Sequence, residues 1–204
     1  MRNRGLTPVL VCFALLLAAC GGPKAKLEKL DRGATVLAFG DSLTFGTGAN
    51  PGESYPAVLA QLTGLKVVNA GVPGEVSADG LERLPGAIDE AQPKLLILCH
   101  AGNDFLQKKD DGAAAGNVRA MIQLAKGRGI NVVLLATPKP GIPPSVPQFY
   151  ADIAAQERIP IEDSVLKDVL FDQSLKSDFV HPNAKGYARV AEALQRLLKK
   201  AGAL

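Results

Sequence analysis

The sequence predicts an α/β protein: a three-layer α/β/α sandwich around a central, mainly five-stranded parallel sheet. Two observations predict it. Short apolar runs without polar interruption recur along the chain, and amphipathic helical patterns fall between them. Continuous rather than alternating hydrophobicity marks strands covered on both faces, as in parallel sheets. Regular alternation of strand and helix then places helices on both sides of the sheet. The length of 204 residues suits one domain of this class with short appendages. With 47% hydrophobic and 21% charged residues, the composition is that of an ordinary globular chain, which excludes intrinsic disorder and collagen-like repeats.

Residues 35–39, 66–69, 94–99 and 130–136 are the four strong strand candidates, each bounded by Gly, Pro or polar residues. A fifth, Arg158-Ile159-Pro160-Ile161-Glu162, carries an internal proline that confines it to a sheet edge. Between the first two strands, Ser54 can cap a helix with Pro56 in its first turn. Leu81, Leu84 and Ile88 mark the next helix, in which Pro85 predicts a kink. Val118, Met121, Ile122 and Ala125 fall at i, i+3, i+4 and i+7 on one helical face. Tyr187, Val190, Leu194 and Leu197 repeat that pattern in the last segment, which ends in Lys199-Lys200 beside the negative helix terminus.

The beginning of the chain reads as an address. Arg2 and Arg4 precede an eleven-residue apolar run, residues 9–19, then Cys20-Gly21-Gly22. That run is too short for a bilayer core of about 30 Å but suits the core of a signal peptide. Leu17-Ala18-Ala19-Cys20 resembles the bacterial lipobox. The resemblance implies that residues 1–19 are removed and Cys20 is diacylated. Residues 20–32 would then form a flexible tether, and residues 33–204 the folded domain. Gly21 rather than Asp after the cysteine resembles an outer-membrane lipoprotein of the cell envelope, so the membrane is an expected partner through the lipid anchor. Cys12 falls in the removed segment and Cys20 is lipidated, leaving Cys99 without a disulfide partner. It lies in the apolar run before His100, as a buried structural thiol would.

Nucleic acid is not an expected partner. Setting aside Arg2 and Arg4, the chain carries 21 basic against 20 acidic side chains, too even a balance to attract a polyanion. Aromatics are only 5% and tryptophan is absent, so no base-stacking platform is available.

In an open parallel sheet the functional loops lie beyond the carboxyl ends of the strands. After the first strand comes Gly40-Asp41-Ser42-Leu43-Thr44-Phe45-Gly46. A phosphate loop would need Gly-Lys-Ser/Thr after four residues; Gly46 is followed by Thr47, and the next Lys after it is Lys66. The remaining reading of a serine on a glycine-flanked strand-to-helix turn is a nucleophile, although Gly-x-Ser-x-Gly itself is absent because Thr44 takes its last position. A nucleophilic serine needs a base, and the chain has two histidines. His181 has Asp178 three residues earlier, close enough to orient the imidazole and stabilise the imidazolium. His100 follows an apolar strand with no acidic residue within three positions and reads as a packing histidine. The tetrahedral oxyanion of acyl transfer needs donors. Candidates are the Ser42 N–H, the N–H of Gly74 in the loop after the second strand, and the side-chain amide of Asn103 after the third. Such a site requires neither metal nor cofactor; two histidines and one free cysteine without Cys-x-x-Cys spacing also argue against zinc.

These residues carry a resemblance to the SGNH/GDSL hydrolase superfamily, in its bacterial thioesterase/lysophospholipase/arylesterase group. Gly40-Asp41-Ser42-Leu43-Thr44 resembles the first family block, with Ser42 in the nucleophile position. Asn69-Ala70-Gly71-Val72-Pro73-Gly74-Glu75 resembles the second, with Gly74 at the oxyanion glycine. Ala101-Gly102-Asn103-Asp104 resembles the third, with Asn103 at the oxyanion asparagine, and the segment from Asp178 to Pro182 the fourth, with Asp178 and His181 at the acid and base. The resemblance implies a flavodoxin-like sheet over residues 33–202 and a serine esterase working through an acyl-enzyme on small acyl-ester or lipid-like substrates. An O-acetylesterase of envelope polysaccharide or peptidoglycan is the alternative, and a non-catalytic lipoprotein scaffold a third. Pro73 replaces the usual Ser and Ala101 the usual Gly, and the segment 138–144 is richer in proline than the corresponding substrate loop.

Overall fold

The computed structural model describes residues 25–204, so Cys12, Cys20 and the signal segment lie outside the described residues. Five parallel strands form one sheet: β1 (Thr35–Gly40), β2 (Lys66–Gly71), β3 (Leu95–Cys99), β4 (Asn131–Leu135) and β5 (Ile161–Glu162). Their order is β2-β1-β3-β4-β5, the doubly wound arrangement expected of a flavodoxin-like fold.

Alternate residues of each strand feed two cores. Leu37, Phe39, Leu96, Leu98 and Leu134 face α3 (Ser77–Ala91), α5 (Asp111–Gly127) and α6 (Phe149–Glu157). Val36, Ala38, Leu95, Ile97 and Val133 face α2 (Tyr55–Thr63), α7 (Val165–Phe171) and α8 (Ala184–Ala201). The predicted stripe Val118, Met121, Ile122 and Ala125 is fully buried on α5. Of the α8 stripe, Tyr187, Val190 and Leu194 are buried while Leu197 packs only partly, and Leu198 completes the face. Two single turns complete the helices: α1 (Ser42–Phe45) and α4 (Gly102–Leu106).

Several sequence expectations are corrected. β2 is an edge strand that pairs only with β1 and is half-buried instead of fully buried: Val67 packs against one core and Val68 and Ala70 against the other, while Lys66 and Asn69 are exposed. β5 is an edge strand as its proline predicts, but it spans two residues. Arg158 instead ends α6 in the left-handed conformation, at φ 55°. The expected helix at Leu81, Leu84 and Ile88 is α3, which carries Pro85 inside it and runs on to Ala91, with one hydrogen-bond donor missing at the proline. Ser54 holds the cap position of α2 without a capping hydrogen bond, being buried beneath the turn at Gly46.

The expected tether also ends early. The Leu27 N–H donates to the Ala201 carbonyl and the Leu30 N–H to the Ala203 carbonyl, both at 2.9 Å. Leu30 is buried and Leu27 packs beside it in the core that holds Leu198. The burial of Leu30, the packing of Leu27 and these two hydrogen bonds strap residues 27–30 to the C-terminal end of α8, so the segment is not free as far as residue 32.

Candidate active site

β1 ends at Gly40, where a Cβ atom would strike the carbonyl of Cys99 on β3, so only glycine permits these strands to lie so close. The chain then turns directly into α1. Asp41 caps this turn: its Oδ1 accepts the Leu43 N–H at 3.0 Å, and its carbonyl accepts from Thr44 and Phe45. Its carboxyl is buried, which pushes its pKa above the ordinary range, and Oδ2 has no hydrogen-bond partner among the described residues. Ser42 is thereby fixed as the first residue of α1, at the floor of a cleft of about 500 Å³.

Phe179, Val180 and His181 line the same cleft, in a turn that begins at Ser177. Asp178 Oδ1 accepts the backbone N–H of Val180 at 2.8 Å and of His181 at 2.9 Å. Its other oxygen lies 2.8 Å from His181 Nδ1. Burial raises the Asp178 pKa, but the His181 ring and these backbone donors outweigh it, leaving the carboxyl below its usual range and ionised at neutral pH. A carboxylate can only accept, so Nδ1 carries the ring proton and Nε2 is the acceptor. The Ser42 hydroxyl lies 3.0 Å from Nε2, across 139 residues of chain. Two features lock this loop. Asn183 caps α8 through the Gly186 N–H, and a Cβ on Gly48 would collide with Ser177, so glycine lets the first loop sit against the last. A hydroxyl, an imidazole and a carboxylate in line can move a proton from the first to the second while the third balances charge.

The proposed donors face the same space. Gly74 and Asn103 both line the cleft with Ser42 and His181. Gly74 has φ +83°, and its N–H meets no acceptor among the described residues. Asn103 spends one amide hydrogen on the Glu75 carbonyl at 3.0 Å, leaving the other free. Apolar side chains of Leu106, Ile142, Phe171 and Phe179 form much of the cleft rim. The structure therefore brings together all five residues named from sequence. Among the described residues no group of three or more His, Cys, Asp or Glu side chains is arranged to hold a metal.

The sequence reading missed what lies behind the cleft. His100 is wholly rather than partly buried, and it is not merely packed: Nε2 lies 3.1 Å from Glu75 Oε2. Arg83 makes a two-pronged contact with the same carboxylate at 2.6 and 2.7 Å. Burial opposes ionisation of Glu75, but hydrogen bonds from Arg83 and His100 outweigh it and hold its pKa at about 2. Asp104, beside Asn103, accepts from the Ser77 N–H at 2.8 Å and its hydroxyl at 2.7 Å, tying α4 to α3. Gly80 was the available signal, since any side chain at this position in α3 would strike the His100 ring. Cys99 is buried as expected, and burial pushes its thiol pKa well above the usual range.

Comparison with known proteins follows the same lines. Residues 38–189 match the model of the GDSL-like Lipase/Acylhydrolase family. The chain is 30% identical to Esterase TesA of Pseudomonas aeruginosa, over 91% of this chain and 98% of that protein. It is 26% identical to Thioesterase 1/protease 1/lysophospholipase L1 of Escherichia coli K12, over 81% of this chain and 83% of that one. A crystal structure of TesA superposes with a TM-score of 0.73 at 28% identity, covering 82% of this chain and 99% of the other.

Proposed function

The chain belongs to the GDSL-like lipase/acylhydrolase family, and from that premise we propose that Ser42, His181 and Asp178 are its nucleophile, base and acid. The protein is a serine esterase that hydrolyses carboxylic acyl esters. The single observation that carries the residue assignment is the continuous chain from Ser42 Oγ through His181 to Asp178, with links of 3.0 and 2.8 Å.

Ser42 Oγ attacks the acyl carbonyl while Nε2 takes its proton, and the carbonyl π pair moves to oxygen. The resulting oxyanion is met by the N–H groups of Ser42 and Gly74 and the free Asn103 amide hydrogen. Collapse expels the alcohol or thiol, protonated by the imidazolium, and leaves the acyl group on Ser42. Water, deprotonated by the same imidazole, releases the carboxylic acid and restores the hydroxyl. Asp178 remains ionised throughout and holds the imidazole in the required tautomer.

The apolar rim of Leu106, Ile142, Phe171 and Phe179 favours an acyl or aryl substituent over a sugar. Hydrolysis of p-nitrophenyl esters from acetyl to palmitoyl, with Ser42→Ala as control, tests this. Rates should rise from acetyl towards longer chains; a maximum at acetyl would favour the O-acetylesterase reading.

Asn103→Ala tests the oxyanion assignment. It should lower kcat about 10²–10³-fold with little change in KM, as for loss of one such donor. A folded variant retaining more than about a third of wild-type kcat lies well outside that range and would remove Asn103 from the site.

We also propose that Cys20 is diacylated and holds the protein on the outer membrane, which the lipobox-like Leu17-Ala18-Ala19-Cys20 and the following Gly21 support. Cys20→Ser should move the protein from the membrane to the soluble fraction and abolish incorporation of labelled palmitate. Unchanged partitioning would count against an anchor at this cysteine.

A further inference from the structure

We propose that Glu75, Arg83 and His100 form a clamp that positions the two outer oxyanion donors, the Gly74 N–H and the Asn103 amide; this rests on the assignment of those donors above. Glu75 connects the donors directly. It follows Gly74 in sequence, and its main-chain carbonyl accepts from Asn103 Nδ2 at 3.0 Å. Fixing this one residue therefore fixes a donor before it in the chain and a donor across from it.

Its carboxylate is gripped from two sides. Arg83, on α3, presents Nε and one terminal nitrogen to the two carboxylate oxygens. The same terminal nitrogen donates to the Ala70 carbonyl at 3.1 Å, and the guanidinium lies 4.1 Å from the centroid of the Phe39 ring. Arg83 is thus referenced to β1 and β2. His100 closes the other side. Its Nδ1 accepts the Ala101 N–H at 3.0 Å, so Nε2 bears the proton and donates to Glu75. The Tyr150 hydroxyl donates to the His100 carbonyl at 2.6 Å, and the missing Cβ of Gly80 leaves room for the ring.

None of the three residues lines the cleft, so none is placed to touch substrate. The Glu75 side chain is only 6% exposed, and a carboxylate so placed is costly unless paired and hydrogen-bonded. The pairing here is directional: a bidentate guanidinium fixes angle as well as distance, which a lysine could not. These are positioning residues. Their effect is on where the donors stand when charge develops on the substrate oxygen.

The test uses Arg83→Met, which keeps an unbranched stem over Phe39 but removes the fork, together with Arg83→Lys and Asn103→Ala. A donor displaced by a fraction of an ångström predicts that Arg83→Met lowers kcat about 10–100-fold, with KM within about threefold. Affinity for a phenylboronic acid, whose tetrahedral adduct on Ser42 places an oxygen in the hole, should fall in parallel. Arg83→Lys should recover only part of the loss. In the double variant Arg83→Met/Asn103→Ala the two losses should overlap instead of multiplying, because the clamp acts largely through that amide.

If Arg83→Met fails to fold, Glu75→Gln serves instead, since it retains the main-chain carbonyl and the side-chain shape. Wild-type kcat in a clamp variant, or losses that multiply fully with Asn103→Ala, would overturn the clamp while leaving the oxyanion assignment standing. A fully active Asn103→Ala would overturn that assignment first, and with it the clamp's route through the amide.

Discussion

Ser42→Ala and His181→Ala should each lower kcat about 10⁶-fold, the scale seen when a member of a unit acting together is removed. Each is predicted to melt close to wild type. Ser42 and His181 meet in an open cleft, so neither substitution leaves a large internal void. The double variant should be no slower than either single one, because once the serine–imidazole pair is broken the second change removes nothing further. Removal of the other imidazole, His100, should cost far less, since it holds a carboxylate and faces no substrate. Stopped assays with the most reactive aryl ester, and the melting temperature of the same preparation, check all four. A folded His181→Ala enzyme retaining more than about 1% of wild-type kcat, orders of magnitude above this expectation, would take that imidazole out of the reaction.

Asp178→Asn should reduce kcat about 10⁴-fold with little loss of stability. The two oxygens of Asp178 do separate jobs. One accepts the N–H groups of Val180 and His181 and shapes the loop; the other receives the His181 ring proton. An asparagine can do the first through its carbonyl oxygen. Its NH₂ then meets Nδ1 as a donor, which drives the ring proton to Nε2 and leaves the serine without an acceptor. Circular dichroism and kcat together separate the two roles. A fall in kcat of less than about tenfold would show that the carboxylate is not what orients His181, because the wrong tautomer costs far more. Unfolding of Asp178→Asn would show instead that the turn needs the charge.

Much of this arrangement is legible in the sequence because its parts are local. The carboxylate and imidazole of Asp178 and His181 sit in one turn, and the Gly40-Asp41-Ser42 corner announces itself by glycine at a strand end. The strands of the sheet centre read correctly because unbroken apolar runs have no other use in a small domain. Failures fall where local pattern is silent. β2 is as apolar at Val67 and Val68 as a central strand, and only its place in the sheet order exposes Lys66 and Asn69. Glu75 and His100 are 25 residues apart, and no window along the chain contains both. A search for a neighbouring acid therefore made His100 look unpartnered. Leu27 and Leu30 read as part of a linker because two leucines in a polar segment reveal their burial only once the end of α8 is in place.

The strap at residues 27–30 ties the start of the described chain to the far end of α8. It is pinned at Ala201 and Ala203, whereas His181 stands just ahead of the first turn of the same helix. Eighteen residues of helix put about 27 Å between them. The strap and the catalytic turn thus stand at opposite ends of one long helix. Any pull exerted through the segment before Leu27 is therefore delivered to the end of α8 remote from His181, and leaves the catalytic turn undisturbed while the strap stays docked.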